Sequence, residues 1–153
     1  MVAIKISWTD EADQALGLPR RESPGAAGLD LKANLLIADR LAGIGIAPGA
    51  FTLVPTGLRV ALPPGYEAQV RPRSGLAYRS GVTVLNSPGT IDSDYRGEIR
   101  ILLVNFGTSP ASILHGDRIA QLVIAALPPY EIHPVRDLDS TTRGHGGFGS
   151  TGR

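Results

Sequence analysis

Short runs that alternate apolar and polar residues, broken by glycine and proline, make up most of the chain. The first run, Val2–Ile6, alternates with period two and predicts an edge strand. In the middle of the chain, Phe51–Val54, Leu58–Leu62 and Tyr66–Arg71 predict three short strands separated by Pro-Thr-Gly and Pro-Pro-Gly turns. Short strands at intervals of about 8–12 residues are typical of an all-β sandwich or barrel.

The second half continues this pattern. Val82–Leu85 and Glu98–Phe106 predict two more strands, and the second is apolar enough to be buried on both faces. The apolar spacing of Gly116–Ile124 is compatible with a helix, but its β-branched residues favour a strand. Glu131–Val135 predicts one last strand.

The segment Pro72–Ala77 interrupts the rhythm of strands and predicts the start of a short helix. With Ser74 as its cap, this helix start would present backbone N–H groups to an anion. Arg73 would add a bidentate phosphate donor. A capped helical turn with a surface arginine is the plainer interpretation. Asp10–Leu18 predicts another short helix or a turn, because Pro19 stops it.

Composition and charge narrow the class of protein. The 153 residues suit one domain, and 19 glycines and 12 prolines indicate many turns. A net charge of +1 gives no support for a nucleic-acid or membrane surface. The lack of cysteine excludes disulfides, cysteine-based zinc sites and thiol catalysis. The first residues do not resemble a signal peptide, so we expect a cytoplasmic protein that binds neither nucleic acid nor membrane.

The segment Val84–Arg100 concentrates the residues that could carry chemistry. Its turn formers enclose two acids, Asp92 and Asp94, together with Tyr95 and Arg96. A hairpin of this composition can offer backbone N–H and C=O groups to a flat ligand while it holds a carboxylate beside that ligand. An ordinary charged hairpin is the alternative interpretation.

The glycine-rich tail is the second candidate. Successive glycine N–H groups within Arg143–Gly152 can form an anion nest, and the hydroxyls of Ser150 and Thr151 can add ligands. Phe148 could stack on a base. A disordered Gly/Ser tail is the alternative, since chain termini commonly lack order.

Several familiar sites are absent from the sequence. It has no Walker-type phosphate loop, no dinucleotide-binding glycine fingerprint, no His-Glu-x-x-His and no Gly-x-Ser-x-Gly. The remaining candidates indicate a small, phosphorylated, flat-ringed ligand and a carboxylate that could deprotonate water.

Five segments, in order along the chain, resemble the five motifs of the trimeric dUTP pyrophosphatase (dUTPase) family. They are Ala26–Leu31, Pro72–Ala77, Asn86–Glu98, Gly116–Leu122 and Arg143–Gly152. The run Gly-Thr-Ile-Asp-Ser-Asp-Tyr-Arg-Gly in the third segment is the most specific of them.

The resemblance implies a fold and an activity. We expect an all-β subunit with a jelly-roll-like barrel or sandwich over residues 1–135, one short helix, and a flexible C-terminal arm over residues 136–153. A homotrimer with active sites between subunits would hydrolyse dUTP to dUMP and pyrophosphate with Mg²⁺. This reaction keeps uracil out of DNA and supplies dUMP for dTMP synthesis.

The resemblance also assigns roles to residues. Asp92 is similar to the general base that activates water for attack on the α-phosphorus, and Tyr95 to the aromatic residue that excludes a 2′-hydroxyl. Asp30 is similar to the acid that contacts Mg²⁺ through water, the metal being held mainly by the phosphates. The remaining substrate-binding residues implied by the resemblance are Arg73, Ser74, Gly75, Asn86, Thr90, Ile91, Arg100, Gln121, Arg143, Phe148, Gly149, Ser150 and Thr151.

Two other functions stay open on the sequence. A dCTP deaminase, or a bifunctional relative, has a related trimeric β fold. A regulatory module could also use the nucleotide site only as a switch.

Overall fold

Within residues 2–150, which are those that the computed structural model describes, the chain is built mainly from β-strands. The strands are β1 Lys5–Trp8, β2 Leu29–Lys32, β3 Ile44–Ile46, β4 Phe51–Ala61, β5 Tyr66–Pro72, β6 Val82–Val84, β7 Gly89–Ile91, β8 Glu98–Asn105, β9 Ala111–Ile113 and β10 Arg118–Ala126. The helices are the α-helix α1, Ser74–Ser80, and two 3₁₀ helices, Gln14–Leu16 and Ile37–Asp39.

The strands form two four-stranded sheets and a two-stranded ribbon. The first sheet has the order β1-β4-β8-β6, the second has the order β2-β10-β5-β7, and the ribbon joins β3 to β9. Every strand pair is antiparallel. The expected all-β architecture with one short α-helix is confirmed, and β1 is an edge strand as predicted.

Alternation along the strands supplies the core between the sheets. In β8 the side chains of Ile99, Ile101 and Leu103 are buried while those between them are more exposed. Leu31 of β2 and Leu122 of β10 are buried from the opposite sheet. Complete burial of such a side chain contributes about 1.5–3 kcal/mol, so these strands hold the two sheets together.

The predicted turn between Phe51–Val54 and Leu58–Leu62 is wrong, because the single strand β4 runs through both segments as far as Ala61. The pairing of β4 with β8 shifts register between Pro55 and Arg59, which marks a bulge. Gly57 lies in this bulge with a φ of 70°, and its N–H donates to Glu98 Oε1 at 2.8 Å. The proline and glycine therefore mark a bulge inside a strand.

The predicted strand at Glu131–Val135 is also wrong. The last strand, β10, ends at Ala126, and residues 127–150 contain turns and irregular segments but no strand. A strand needs a partner for its backbone, and Pro134 removes one donor from this segment.

The two ambiguous segments are resolved by the structure. Gly116–Ile124 contains the start and most of β10, so the strand prediction is confirmed there. Asp10–Leu18 contains only the 3₁₀ helix Gln14–Leu16, for which Asp13 is the N-cap. Among residues 2–150, no helix has the length and apolar character needed to cross a membrane.

Candidate active site

The segment between β6 and β8 crosses from one sheet to the other and back. β6 pairs with β8, as expected for a hairpin, but β7 pairs with β5 in the opposite sheet. The expected simple hairpin is therefore wrong in detail. β7 is an edge strand, so one side of its backbone is not paired within its sheet.

A small cavity of about 140 Å³ lies between β7 and β8. The structure brings several predicted substrate-binding residues to its wall, namely Asn86, Thr90, Ile91, Tyr95 and Arg100. The apolar side of the cavity includes Val70 of β5, and Gly89 lies beside it. A Cβ at Gly89 would lie 3.3 Å from Asn86 Nδ2 and 3.4 Å from Val70 Cβ, so a glycine keeps this wall open.

Tyr95 is fixed by its neighbours at the edge of this cavity. Its hydroxyl donates to the Glu98 carbonyl at 3.0 Å. Its ring lies so close to Gly97 that a Cβ at that position would overlap the ring. Since Glu98 is in turn bound to Gly57 in the β4 bulge, the aromatic ring is tied to the sandwich.

Asp92 lies directly after β7, and a turn follows at Ser93 and Asp94. The Asp92 carbonyl accepts a hydrogen bond from the Tyr95 N–H at 3.2 Å, and the Asp92 side chain is exposed. Arg96 Nη1 donates to the Ser93 carbonyl at 2.7 Å and to the Tyr95 carbonyl at 2.8 Å. The acid is thus accessible to solvent beside the cavity.

A second cluster joins residues of the first, second and fourth motifs. The carboxylate of Asp30 lies 3.3 Å from Arg73 Nε and 3.2 Å from Arg118 Nη1. Arg73 Nη1 also donates to the Arg118 carbonyl at 2.9 Å. In the register of the sheet Asp30 faces Gln121, so carboxylate, guanidinium and amide groups share one surface.

Gln121 is held by close contacts on both sides. Its Nε2 donates to the Pro72 carbonyl at 3.0 Å. A Cβ on Gly28 would lie 2.6 Å from Gln121 Oε1, so a larger residue there would displace this amide. The bond to the Pro72 carbonyl joins the fourth motif to the second.

The helix that follows Arg73 begins one residue earlier than predicted. Arg73 occupies the N-cap position and makes no side-chain cap bond, whereas Ser74 is the first helical residue. Ser74 is therefore not the cap. Ser74 and Gly75 nevertheless lie in the first turn, where backbone N–H groups lack partners within the helix.

The cavity and the cluster around Asp30 lie on opposite faces of β5. Val70, at the cavity wall, pairs with Leu122 and is buried, whereas Arg71 pairs with Gln121 on the outer face. Adjacent residues of a strand point to opposite faces. Among the described residues, a single chain therefore does not bring Asp30, Arg73 and Gln121 to the cavity beside Asp92.

The predicted residues of the arm are also separate from the cavity. Arg143, Phe148, Gly149 and Ser150 are exposed, and the arm is folded into turns of its own. Arg143 Nε donates to the Gly146 carbonyl at 2.7 Å. Thr151 lies outside the described residues.

Two arginines near these clusters were not selected from the sequence as site residues. Arg118 contacts Asp30 across 88 positions of the chain, and Arg96 binds the turn beside Asp92. Both arginines lie in segments that resemble family motifs, and this resemblance is the sequence signal that could have identified them. Within residues 2–150, no group of three or more histidine, aspartate or glutamate side chains could hold a metal ion.

A polar contact between Asp13 and His115, which we call the clasp, lies away from the cavity and from the cluster around Asp30. Asp13 Oδ2 lies 3.2 Å from His115 Nε2, and the Leu35 N–H donates to His115 Nδ1 at 3.1 Å. The hydrogen bond from the Ala15 N–H lowers the pKa of Asp13 most, and His115 and Arg40 lower it further. The clasp ties the N-terminal segment to the turn before β10.

Comparison with known proteins identifies the family. The family model described as dUTPase matches residues 15–152, which is most of the chain. The chain belongs to the dUTPase family. The resemblance inferred from five sequence motifs is therefore confirmed, and the jelly-roll type of fold is confirmed with it.

Named relatives of this dUTPase-family chain match it over nearly its whole length. The deoxyuridine 5'-triphosphate nucleotidohydrolase of Roseobacter denitrificans is 51% identical over 99% of this chain and 97% of the relative. The protein of that name from Anaeromyxobacter sp. is 53% identical over 99% of both chains.

Solved dUTPase structures share the fold. The dUTPase of Staphylococcus bacteriophage 80alpha with dUPNHPP superposes with a TM-score of 0.83 at 23% identity, and 99% of each chain is covered. The dUTPase from Streptococcus mutans gives a TM-score of 0.71 at 28% identity, over 82% of this chain and 98% of the other.

Proposed function

We propose that this chain is a dUTP diphosphatase, which hydrolyses dUTP to dUMP and pyrophosphate by water attack on the α-phosphorus. The observation that carries the proposal is the cavity between β7 and β8, with Asp92 at its edge. The dUTPase family membership and the name of relatives that are 51–55% identical support the same activity.

The cavity suits a uracil ring by its hydrogen-bonding groups. Uracil presents an N–H between two carbonyl groups along one edge. The unpaired side of β7 at Thr90 and Ile91 offers alternating backbone donors and acceptors, and the Asn86 amide adds both kinds. Cytosine has a different pattern along that edge, and the methyl group of thymine needs additional space.

Tyr95 would lie under the deoxyribose. Its hydroxyl is bound to the Glu98 carbonyl and its ring is packed on Gly97, so the ring cannot easily retreat from a ligand. A rigid aromatic wall beside the sugar would exclude a 2′-hydroxyl. UTP should therefore be a poor substrate.

Asp92 would act as the general base. An ionised carboxylate can accept a proton from water while the water oxygen attacks phosphorus. Because a carboxylate is a weak base, orientation of the water matters more than basicity. The backbone of the turn that follows Asp92 would therefore help to set the direction of this carboxylate.

The triphosphate would be held by the second cluster and by the arm. Arg73, Gln121 and the first N–H groups of α1, at Ser74 and Gly75, provide charged and neutral donors. From the arm, Phe148 would stack on uracil and Arg143 would bind the terminal phosphate, with the glycine backbone and hydroxyl groups adding further donors. Charge on the leaving pyrophosphate is stabilised by these groups.

A homotrimer with active sites between subunits is part of the proposal, and the arrangement within one chain supports sites that are shared between chains. The nucleobase cavity and the phosphate-binding cluster lie on opposite faces of β5, so one chain does not offer both to one nucleotide. Most of residues 136–150 are exposed and none lies in a strand, which suits an arm that closes over a site, and the domain boundary at residue 135 stays part of the proposal.

Mg²⁺ fits the residues present if the substrate phosphates supply most of its ligands. Asp30 offers a hard oxygen donor, but its carboxylate faces two guanidinium groups, which favours contact through water. When bound, the ion would neutralise charge on the phosphates. Asp30 would hold it, and the arginines would keep Asp30 in place. A cytoplasmic location fits an enzyme of the deoxynucleotide pool.

A pyrophosphate-release assay with dUTP, UTP, dCTP and dTTP tests the proposal. We expect rapid release from dUTP alone, and loss of release when Asp92 is replaced by asparagine. Ammonia release from dCTP would instead favour a deaminase. Tight binding of dUTP without pyrophosphate release would favour a regulatory module.

A further inference from the structure

Arg96 is directed back at the turn that carries the candidate general base. Its Nη1 donates to the Ser93 carbonyl at 2.7 Å and to the Tyr95 carbonyl at 2.8 Å. The guanidinium lies on the exposed side of the protein and outside the core. Its contacts therefore act on the geometry of the turn and add little to the packing of the sheets.

The two bonds are stronger than the bond that the turn makes by itself. The backbone bond from the Tyr95 N–H to the Asp92 carbonyl measures 3.2 Å, at the long end of the usual range. The two bonds from Arg96 are shorter and charge-assisted, and such bonds are about twice as strong as neutral ones. Arg96 thus provides much of the restraint on the peptide units that follow Asp92.

The far end of the same segment has its own anchor. Tyr95 is bound to the Glu98 carbonyl, and the Glu98 carboxylate accepts the Gly57 N–H from the β4 bulge. Asp92 also follows β7, which is paired with β5. Between these two fixed points, the peptide units of Ser93 and Tyr95 are held by Arg96.

We propose that Arg96 is a positioning residue that fixes the direction of the Asp92 carboxylate toward the attacking water. The inference rests on the proposed hydrolysis of dUTP. A displacement of about 1 Å at a reacting group can lower a rate by about 100-fold. Loss of Arg96 should therefore lower kcat and leave the affinity for nucleotide nearly unchanged.

The test compares pyrophosphate release by wild type, Arg96→Ala, Arg96→Lys, Asp92→Asn and the double variant Arg96→Ala/Asp92→Asn. Arg21→Ala is the matched control, because Arg21 is also an exposed arginine but is remote from the turn in sequence. Affinity for the non-hydrolysable analogue dUpNHpp and the melting temperature are measured for each protein. Guanidinium ion at millimolar concentration is then added to Arg96→Ala.

We expect Arg96→Ala to lower kcat by about 10- to 100-fold, with KM and dUpNHpp affinity changed by no more than about threefold. Arg96→Lys should be intermediate, since lysine keeps the charge without the planar fork. Added guanidinium should raise the kcat of Arg96→Ala. In the Asp92→Asn background, loss of Arg96 should have little further effect, because the two residues act as one unit.

Several results would overturn the inference. These are an unchanged kcat in Arg96→Ala, an equal fold-loss in the Asp92→Asn background, or a loss that follows a fall in melting temperature and is absent in Arg96→Lys. If wild type releases no pyrophosphate from dUTP, the proposed function itself fails and the inference fails with it. Active wild type with an unaffected variant contradicts only the role of Arg96.

Discussion

The segment 86–100 and the C-terminal arm, residues 136–150, are both rich in glycine and polar residues, yet they are ordered in different ways. The first segment includes β7, paired with β5, and the start of β8, paired with β4. The backbone hydrogen bonds within the arm instead join residues three positions apart, as from the Gly146 N–H to the Arg143 carbonyl. Phe148 is fully exposed.

Under the proposed function, this difference gives the two segments separate roles. The segment 86–100 binds the nucleobase, and the arm closes over it. A cavity whose walls are strands of the sandwich exists before a ligand arrives, so little ordering is needed to bind the nucleobase. An exposed arm with local turns has little to hold it in one place until a ligand provides contacts. Changes in the segment 86–100 should therefore affect chemistry and stability, whereas changes in the arm should affect substrate binding and turnover and leave stability unchanged.

The largest effect is expected when the carboxylate beside the preformed cavity is removed. Asp92→Asn should lower kcat by about 10²- to 10⁴-fold, the usual contribution of a general base. The affinity for dUpNHpp should stay close to that of wild type, because Asp92 is exposed and does not line the cavity. Asp94→Asn, two residues along, is the matched control. Equal losses in both variants would contradict the assignment.

The next largest effect concerns the arm as a whole. Truncation after Asp139 should lower kcat/KM by at least about 100-fold, because the groups that close the site are lost. The melting temperature should be unchanged, since the core lies in the two sheets. Calorimetry measures the melting temperature, and the pyrophosphate assay measures kcat/KM. Full activity of the truncated chain would mean that the arm is a spacer.

A single residue tests how the arm engages the nucleobase. Phe148→Ala should cost about 1–3 kcal/mol of binding, the range for stacking of a base on an aromatic ring. This corresponds to an increase in KM of about 5- to 150-fold. Tyr130→Ala is the control, because Tyr130 is also an exposed aromatic residue and lies before the arm. Equal increases in KM from the two replacements would contradict stacking of Phe148 on the base.

The close contact between Gly28 and Gln121, which lies outside the arm, provides the contrasting case. Gly28→Ala would place a Cβ 2.6 Å from Gln121 Oε1, whereas Gly25→Ala meets nothing within 4 Å. The first variant should lose about 1–3 kcal/mol of unfolding free energy through overpacking and should raise KM as Gln121 is displaced. The second should behave as wild type. Chemical denaturation and steady-state kinetics distinguish them, and equal stability of the two would argue against a rigid contact.

The smallest expected effect is a pH dependence of stability, which comes from Asp13 and does not involve the arm. The pKa of Asp13 is lowered in the folded chain, so its contribution is present above the usual value of 3.8 and is lost as the pH falls through the lower folded value. Asp13→Asn should therefore lower the melting temperature at neutral pH, and the gap from wild type should narrow in acid. A gap that is constant with pH would exclude this contribution of the clasp.

Local signals were sufficient for much of the fold and of the site. The β-branched residues of Gly116–Ile124 indicated a strand correctly, because that strand has partners on both sides. Pro55 and Gly57 predict a turn, because their local preferences do not reveal a bulge held by Glu98. Glu131–Val135 has the alternation of a strand, but pairing depends on neighbours that a local pattern does not specify.

The site was predictable where one motif contained all the participants. Asn86, Thr90 and Tyr95 are close in sequence and meet at one cavity. The contact of Arg118 with Asp30 depends instead on the pairing of β2 with β10, across 88 positions. Long-range register decides which of several charged residues meet, and it is set by the whole core.

Hydrolysis in water enriched in heavy oxygen tests the central claim most directly. If water directed by Asp92 attacks the α-phosphorus, mass spectrometry will find the heavy oxygen in dUMP and none in pyrophosphate after a single turnover. Heavy oxygen in pyrophosphate would mean attack on the β-phosphorus and would contradict the account.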